Sequence, residues 1–85
     1  SLTQVTVDVP DADAGRFDNL LRDWATRHNA VLGDPIYGSA ATLEVWVTAT
    51  EIDRLRDDIA AASAGAVVPV LGIERIIDVP VETGN

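Results

Sequence analysis

Cysteine, methionine and lysine are all missing from the 85 residues. Without cysteine there is no disulfide and no thiolate metal site, and cysteine usage says nothing of the compartment. With one histidine and no cysteine or lysine, the usual nucleophile and base pairs are missing. Apolar runs reach only a few residues, too short to span a bilayer as a helix. No apolar segment follows a basic start, so no secretory leader is read and the cytoplasm is the expected location. Aromatic residues are 5%, but hydrophobic residues are 47%, enough for one core. A chain this short buries about 60–65% of its unfolded surface and forms one small domain, residues 1–85.

Positive charge is scarce as well. Six basic residues, all arginine, face fourteen acids, ten of them aspartate, for a net charge of -8. Such a field disfavours sequence-independent binding to phosphate backbones. The composition is that of an acidic soluble domain, and it also fits a halophilic or high-GC host. Screening eases repulsion among like charges. The melting temperature should therefore rise from low salt to molar KCl. A flat or falling melting curve would remove the halophile reading.

What is present has a clear rhythm. Val5, Val7 and Val9 alternate with Thr6 and Asp8 in a half-buried strand over Leu2–Val9, which Pro10 ends. Asp11 and Asp13 are N-cap candidates for a helix near 14–29. Phe17, Leu20, Leu21, Trp24 and Ala25 share one face of that helix. Asp18–Arg22 and Asp23–Arg27 support the other face as i,i+4 pairs with the acid first. Ala30–Tyr37 predicts a weak edge strand, interrupted by Gly33 and Pro35. Its register, and the face Tyr37 takes, stay open. Leu43, Val45 and Val47 mark one side of an alternating strand over Thr42–Val47. Thr48 and Glu51 form a capping box for a helix over 49–63 that buries Ile52, Leu55, Ile59 and Ala62. Gly65 fits its left-handed C-terminal stop. In the apolar stretch from Val67 to Val81, Ile73–Val79 is the expected last strand. The predicted core is Val5, Val7, Phe17, Leu20, Leu21, Trp24, Leu43, Val45, Val47, Ile52, Leu55 and Ile59.

The order is β-α-β-β-α-β, with a faint repeat at an offset of 38 residues. Val5, Val7 and Val9 fall on Leu43, Val45 and Val47. Arg16 falls on Arg54, Phe17 on Leu55 and Leu21 on Ile59. Two such units predict the α+β, ferredoxin-like split β-α-β sandwich, a four-stranded antiparallel sheet in the order 4-1-3-2 with both helices on one face. Gln4, Thr6, Asp8, Glu44, Trp46 and Thr48 would line the open face.

No cofactor, metal or catalytic residue is expected. Asp11-x-Asp13-x-Gly15 resembles the start of a calcium loop, but Arg22 stands where the loop needs a bidentate Glu. His28 has no second His or Cys to share a metal or a nucleophile, and its place near a helix C-terminus suits a cation. Ser39 and Ser63 lie in no nucleophile-elbow context. Gly15 is alone among acids and makes no phosphate loop. Trp46 is the residue that breaks the pattern, a large aromatic on the open face of a central strand. Docking of a protein or domain, stacking on a nucleic-acid base and packing on neighbouring side chains all use such a residue. Acids beside it, Glu44 and Asp8, disfavour base stacking. Trp46, Glu44 and Thr6 are the candidate partner-contact residues.

The chain resembles a known family. The resemblance lies in Leu20-Leu21, Ala30-Val31-Leu32-Gly33-Asp34-Pro35-Ile36-Tyr37, Leu43-Glu44-Val45-Trp46-Val47, Leu55, Ser63-Ala64-Gly65, Gly72-Ile73-Glu74-Arg75 and Val79-Pro80. This pattern of core and turn positions is similar to the small C-terminal domain of the Impact/YigZ family and runs over nearly the whole chain. The resemblance implies a fragment of a longer two-domain protein, with a larger N-terminal domain as one partner. It implies a ferredoxin-like fold and a link to translation, with ribosome-related or nucleic-acid binding. It carries no catalytic residues. Oligomeric state is left open. A second resemblance is to ACT-like amino-acid-sensing domains, through Asp8-Val9-Pro10 and Gly15-Arg16-Phe17, although the spacer before Gly15 is longer than in such loops. It implies a ligand at Gly15 in a dimer interface.

Overall fold

The computed structural model describes residues 1–76. Strand β1 (Leu2–Val9) leads into helix α1 (Ala14–His28), then two short strands, β2 (Val31–Leu32) and β3 (Ile36–Tyr37), then β4 (Ala41–Val47). Helix α2 (Ile52–Ser63) and strand β5 (Val70–Arg75) complete it. The sheet order is β2-β4-β1-β5, with β3 also paired to β4, and every pairing is antiparallel. Counting β2 and β3 as one interrupted strand, this is the ferredoxin-like order. The weak strand splits where Gly33, Asp34 and Pro35 intervene, since proline has no N–H for a ladder.

Strand periodicity divides the layers. Val5, Val7 and Val9 with Ala41, Leu43, Val45 and Val47 meet Phe17, Leu21, Trp24, Leu55 and Ile59 in one buried cluster. Both helices therefore lie on one sheet face. Three contacts place them antiparallel to each other. Arg16 donates to the carbonyl of Ala62 at 3.3 Å, Trp24 Nε1–H donates to Asp58 at 2.8 Å, and His28 Nδ1 lies 3.0 Å from Glu51. Of the predicted core, Leu20 and Ile52 are only half-buried and pack against its rim. Leu2, Val9, Ala14, Ala25, Ala41, Trp46 and Val67 join the buried set.

The 38-residue repeat reaches into the backbone. Each helix begins with a 3-10 turn, Asp11–Asp13 before α1 and Ala49–Glu51 before α2. The residue that hands over to the helix is Asp13 at φ -100, ψ -3 in one and Glu51 at φ -102, ψ -3 in the other. Neither helix start has a side-chain cap. This corrects two expectations. Asp13 turns to Arg16, 4.0 Å away, rather than to the helix amides, and Asp11 caps nothing. Thr48 and Glu51 form no capping box, because the Glu51 carboxylate is held by His28 and Thr48 Oγ1 faces Thr50 Oγ1 at 3.3 Å. The surface pairs form as expected, Arg22–Asp18 at 3.2 Å and Arg27–Asp23 at 3.0 Å.

The helices also end alike. Asn29 (φ 56) and Ala64 (φ 53) are left-handed, and the next amide, Ala30 or Gly65, bonds back to the carbonyl of Ala25 or Ala60. The stop of α2 thus falls on Ala64 rather than on Gly65, which follows at φ 83. Asn tolerates this region, whereas an Ala Cβ crowds the following carbonyl. Ala64→Gly should raise stability by about 0.5–1 kcal/mol. Urea unfolding measures it, and an unchanged midpoint would show that the left-handed stop is absent in solution.

The last strand departs most from expectation. It starts at Val70 rather than Ile73, directly after Pro69, and runs through Gly72. Its register against β1 shifts between Leu71↔Val5 and Glu74↔Thr3, so Gly72 and Ile73 together stand opposite Gln4. A Cβ at Gly72 would meet the Gln4 side chain, which would have to move aside, so glycine leaves room for Gln4 to lie across the strand. The expected positions 77–79 lie outside the described residues.

Candidate docking surface

The open face carries the residues that alternation assigned to it. Across β1 and β4, Thr6 pairs with Glu44, Gln4 with Trp46 and Asp8 with Thr42. Gln4 Nε2–H donates to Glu44, and Thr42 donates to Asp8 at 2.7 Å. The two edges press on this polar strip. The Glu44 side chain lies over Gly33, whose amide donates to the Glu44 carbonyl at 2.9 Å, while the Gln4 side chain lies over Gly72. A glycine on each edge therefore lets the two long polar side chains lie flat across the sheet.

Trp46 is on this face but is 8% exposed. Its strand neighbours are Gln4 and Val31, and the Arg75 guanidinium sits 5.2 Å from its ring centroid. A guanidinium over an indole face is a favourable cation–π arrangement. Trp46 thus packs on neighbouring side chains within the strip. Thr6 and Glu44 are half-buried in the same strip.

His28 is built into the helix layer. Its ring stacks on Trp24 at 4.2 Å and its Nδ1 meets Glu51, while its Nε2 is buried without a hydrogen-bond partner. The histidine thus joins the end of α1 to the start of α2. Sequence reasoning missed this pairing because Glu51 reads locally as a capping residue. Among the described residues, no three His, Cys, Asp or Glu side chains are grouped to hold a metal, and no helix is long and apolar enough to cross a membrane.

Apolar exposure lies elsewhere. Val31, Ile36 and Tyr37 are exposed at one margin of the sheet, and Val68, Val70, Leu71, Ile73 and Ile76 at the other. No large hydrophobic side chain of α1 or α2 is exposed. Tyr37 pairs with Ala41 and Ile36 with Thr42, which resolves the hairpin register. Tyr37 is 66% exposed and Ile36 68%. A shallow open depression of about 280 Å³ lined by Ser1, Glu74, Arg75 and Ile76 borders the second margin. The only sequence signal for that margin was the run Val67–Ile73, in which apolar residues fail to alternate.

The element order, sheet order and one-sided helix layer define a ferredoxin-like α+β domain. Residues 7–66 match the family described as a domain of unknown function (DUF1949), and the chain belongs to that family. A solved structure titled "Crystal structure of an hypothetical protein" is similar with a TM-score of 0.66 and 20% identity, over 88% of this chain and 34% of that one. At that identity the likeness shows the fold, and the chain spans about a third of the length of that structure. No curated protein matches the chain.

Proposed function

We propose that this is a non-catalytic docking domain, the accessory C-terminal module of a cytoplasmic Impact/YigZ-type protein connected with translation. The DUF1949 family is known from Impact/YigZ C-termini, which supports that assignment. The observation that carries the docking role is the placement of apolar exposure. Among the described residues, the exposed large hydrophobics lie along the sheet margins, and the helices present charge to solvent. Apolar side chains gathered in this way, rather than scattered singly, mark contact surfaces. The partner is another protein surface or the remaining domain of the parent protein. Nucleic acid is disfavoured by the net charge of -8 and by Glu44 and Asp8 on the open face. Sensing of a small molecule at Gly15, in the first turn of α1, is the second reading and rests on the resemblance to ACT-like domains alone.

Hydrogen exchange tests the reading. Amides 31–37 and 68–76 are compared in the isolated chain, in the intact parent protein, and with ribosomes or free RNA added. Slowing at either margin in the parent or on ribosomes is the expected result. Unchanged exchange in all of them would remove the docking role. Salt-sensitive slowing around Trp46 with free RNA alone would replace it with base stacking.

A further inference from the structure

We propose that β5 pairs with β5 of a second copy of this chain, antiparallel about a two-fold axis at Ile73, so that one sheet runs through a closed dimer. The inference rests on the reading of the sheet margins as contact surfaces and assigns an occupant to one of them. It starts from the difference between the two edges. The β2/β3 edge consists of two strands of two residues each, broken by Gly33, Asp34 and Pro35. Such a broken edge offers no continuous row of amides and carbonyls to a partner. The other edge is six residues long, and every residue of it is exposed. It pairs with β1 on one side, and among the described residues no strand lies on its other side. Val70, Leu71 and Ile73 are 59%, 45% and 54% exposed. The span 70–76 holds neither proline nor lysine, and what could blunt the edge is confined to the register shift at Gly72 and Ile73 and the opposite charges of Glu74 and Arg75.

A second copy fits this edge. Two antiparallel strands related by a two-fold axis normal to the sheet must place one residue opposite itself. With Ile73 there, Ile73 meets Ile73, Leu71 meets Arg75, Val70 meets Ile76 and Gly72 meets Glu74. No like charges oppose in this register. An axis at Glu74 would set carboxylate against carboxylate, and an axis at Gly72 would bring Pro69 opposite Arg75. The register shift at Gly72 and Ile73 falls beside the axis, so Gly72 of each strand, which has no side chain, stands opposite Glu74 of the other. Glu74 and Arg75 cancel within β5, so repulsion comes from the bodies, each at -8. Because each copy has one continuous free edge among the described residues, assembly stops at two.

Sedimentation equilibrium on the folded chain tests the proposal at about 50 mM and about 1 M KCl, where screening lengths differ several-fold. A dimer that tightens at least about tenfold in the higher salt is expected, since like-charged bodies repel less when screened. Ile73→Lys should be monomeric in both salts with an unchanged circular dichroism spectrum, since the side chain is exposed. Ile36→Lys, on the broken edge, should leave the dimer intact. A monomer in both salts would overturn the proposal, as would a dimer that survives Ile73→Lys or is lost with Ile36→Lys. A monomer whose β5 amides still slow within the intact parent protein removes self-pairing alone. A monomer with no slowing at either margin removes the docking reading as well.

Discussion

Phe17→Ala is expected to remove about 3–5 kcal/mol of stability, read from the urea midpoint at constant slope. Phe17 is 1% exposed in the middle of the cluster that joins both helices to β1 and β4. The Arg16 guanidinium covers its ring at 4.6 Å and reaches on to the Ala62 carbonyl in the last turn of α2. The cavity left by the ring would thus open where both helices meet, with little slack to close it. A domain of this size has roughly 4–13 kcal/mol in all. Leu55 stands 38 residues on, at the equivalent place in α2, and is also fully buried. Leu55→Ala should cost about 2–5 kcal/mol by the same mechanism. A loss under about 1 kcal/mol for Phe17→Ala would show that α1 turns another face to the sheet.

Trp24→Ala should cost a similar about 3–5 kcal/mol, and a paired variant separates its causes. Trp24 is 1% exposed, donates its indole N–H to Asp58 and carries the stacked ring of His28. Trp24→Phe keeps most of the apolar contact and deletes the donor. Asp58 is half-buried, so water can replace the indole and the loss should be about 1–2 kcal/mol. If Trp24→Phe proves as damaging as Trp24→Ala, the hydrogen bond rather than the packing holds α1 to α2. Equal, near-zero effects would mean that the helices do not meet as described.

Local rules read most of this fold. The spacing of Phe17, Leu21 and Trp24 placed α1 within a residue of its observed end, and alternation placed β1 over its full length. Rules of that kind depend on neighbours a few positions away, and these elements are made by such neighbours. The failures share the opposite character. Trp46 sits on the face that parity assigns, but its cover comes from Arg75, 29 positions on. Glu51 looks like a capping residue until His28 arrives from the other helix. The start of β5 falls three residues before the expected Ile73, and Gly72 lies inside the strand with the Gln4 side chain, 68 positions earlier in the chain, across it. The candidate surface was legible only in part for the same reason. Parity found the open face, but which apolar residues stay uncovered depends on what the tertiary fold brings over them.

The repeated unit bears on how the protein unfolds. Val5, Val7 and Val9 of the first unit and Leu43, Val45 and Val47 of the second are buried in one shared cluster, beneath helices drawn from both. β1 and β4 are neighbours at the centre of the sheet, with seven residues paired between them. Neither unit has a core of its own to fall back on. Peeling one away would strip the apolar face of the other and strand a helix on half a floor. A duplicated architecture would suggest a molecule that comes apart by halves. Here the halves are interlocked, so no stable halfway state is expected and the chain should melt as a single cooperative body.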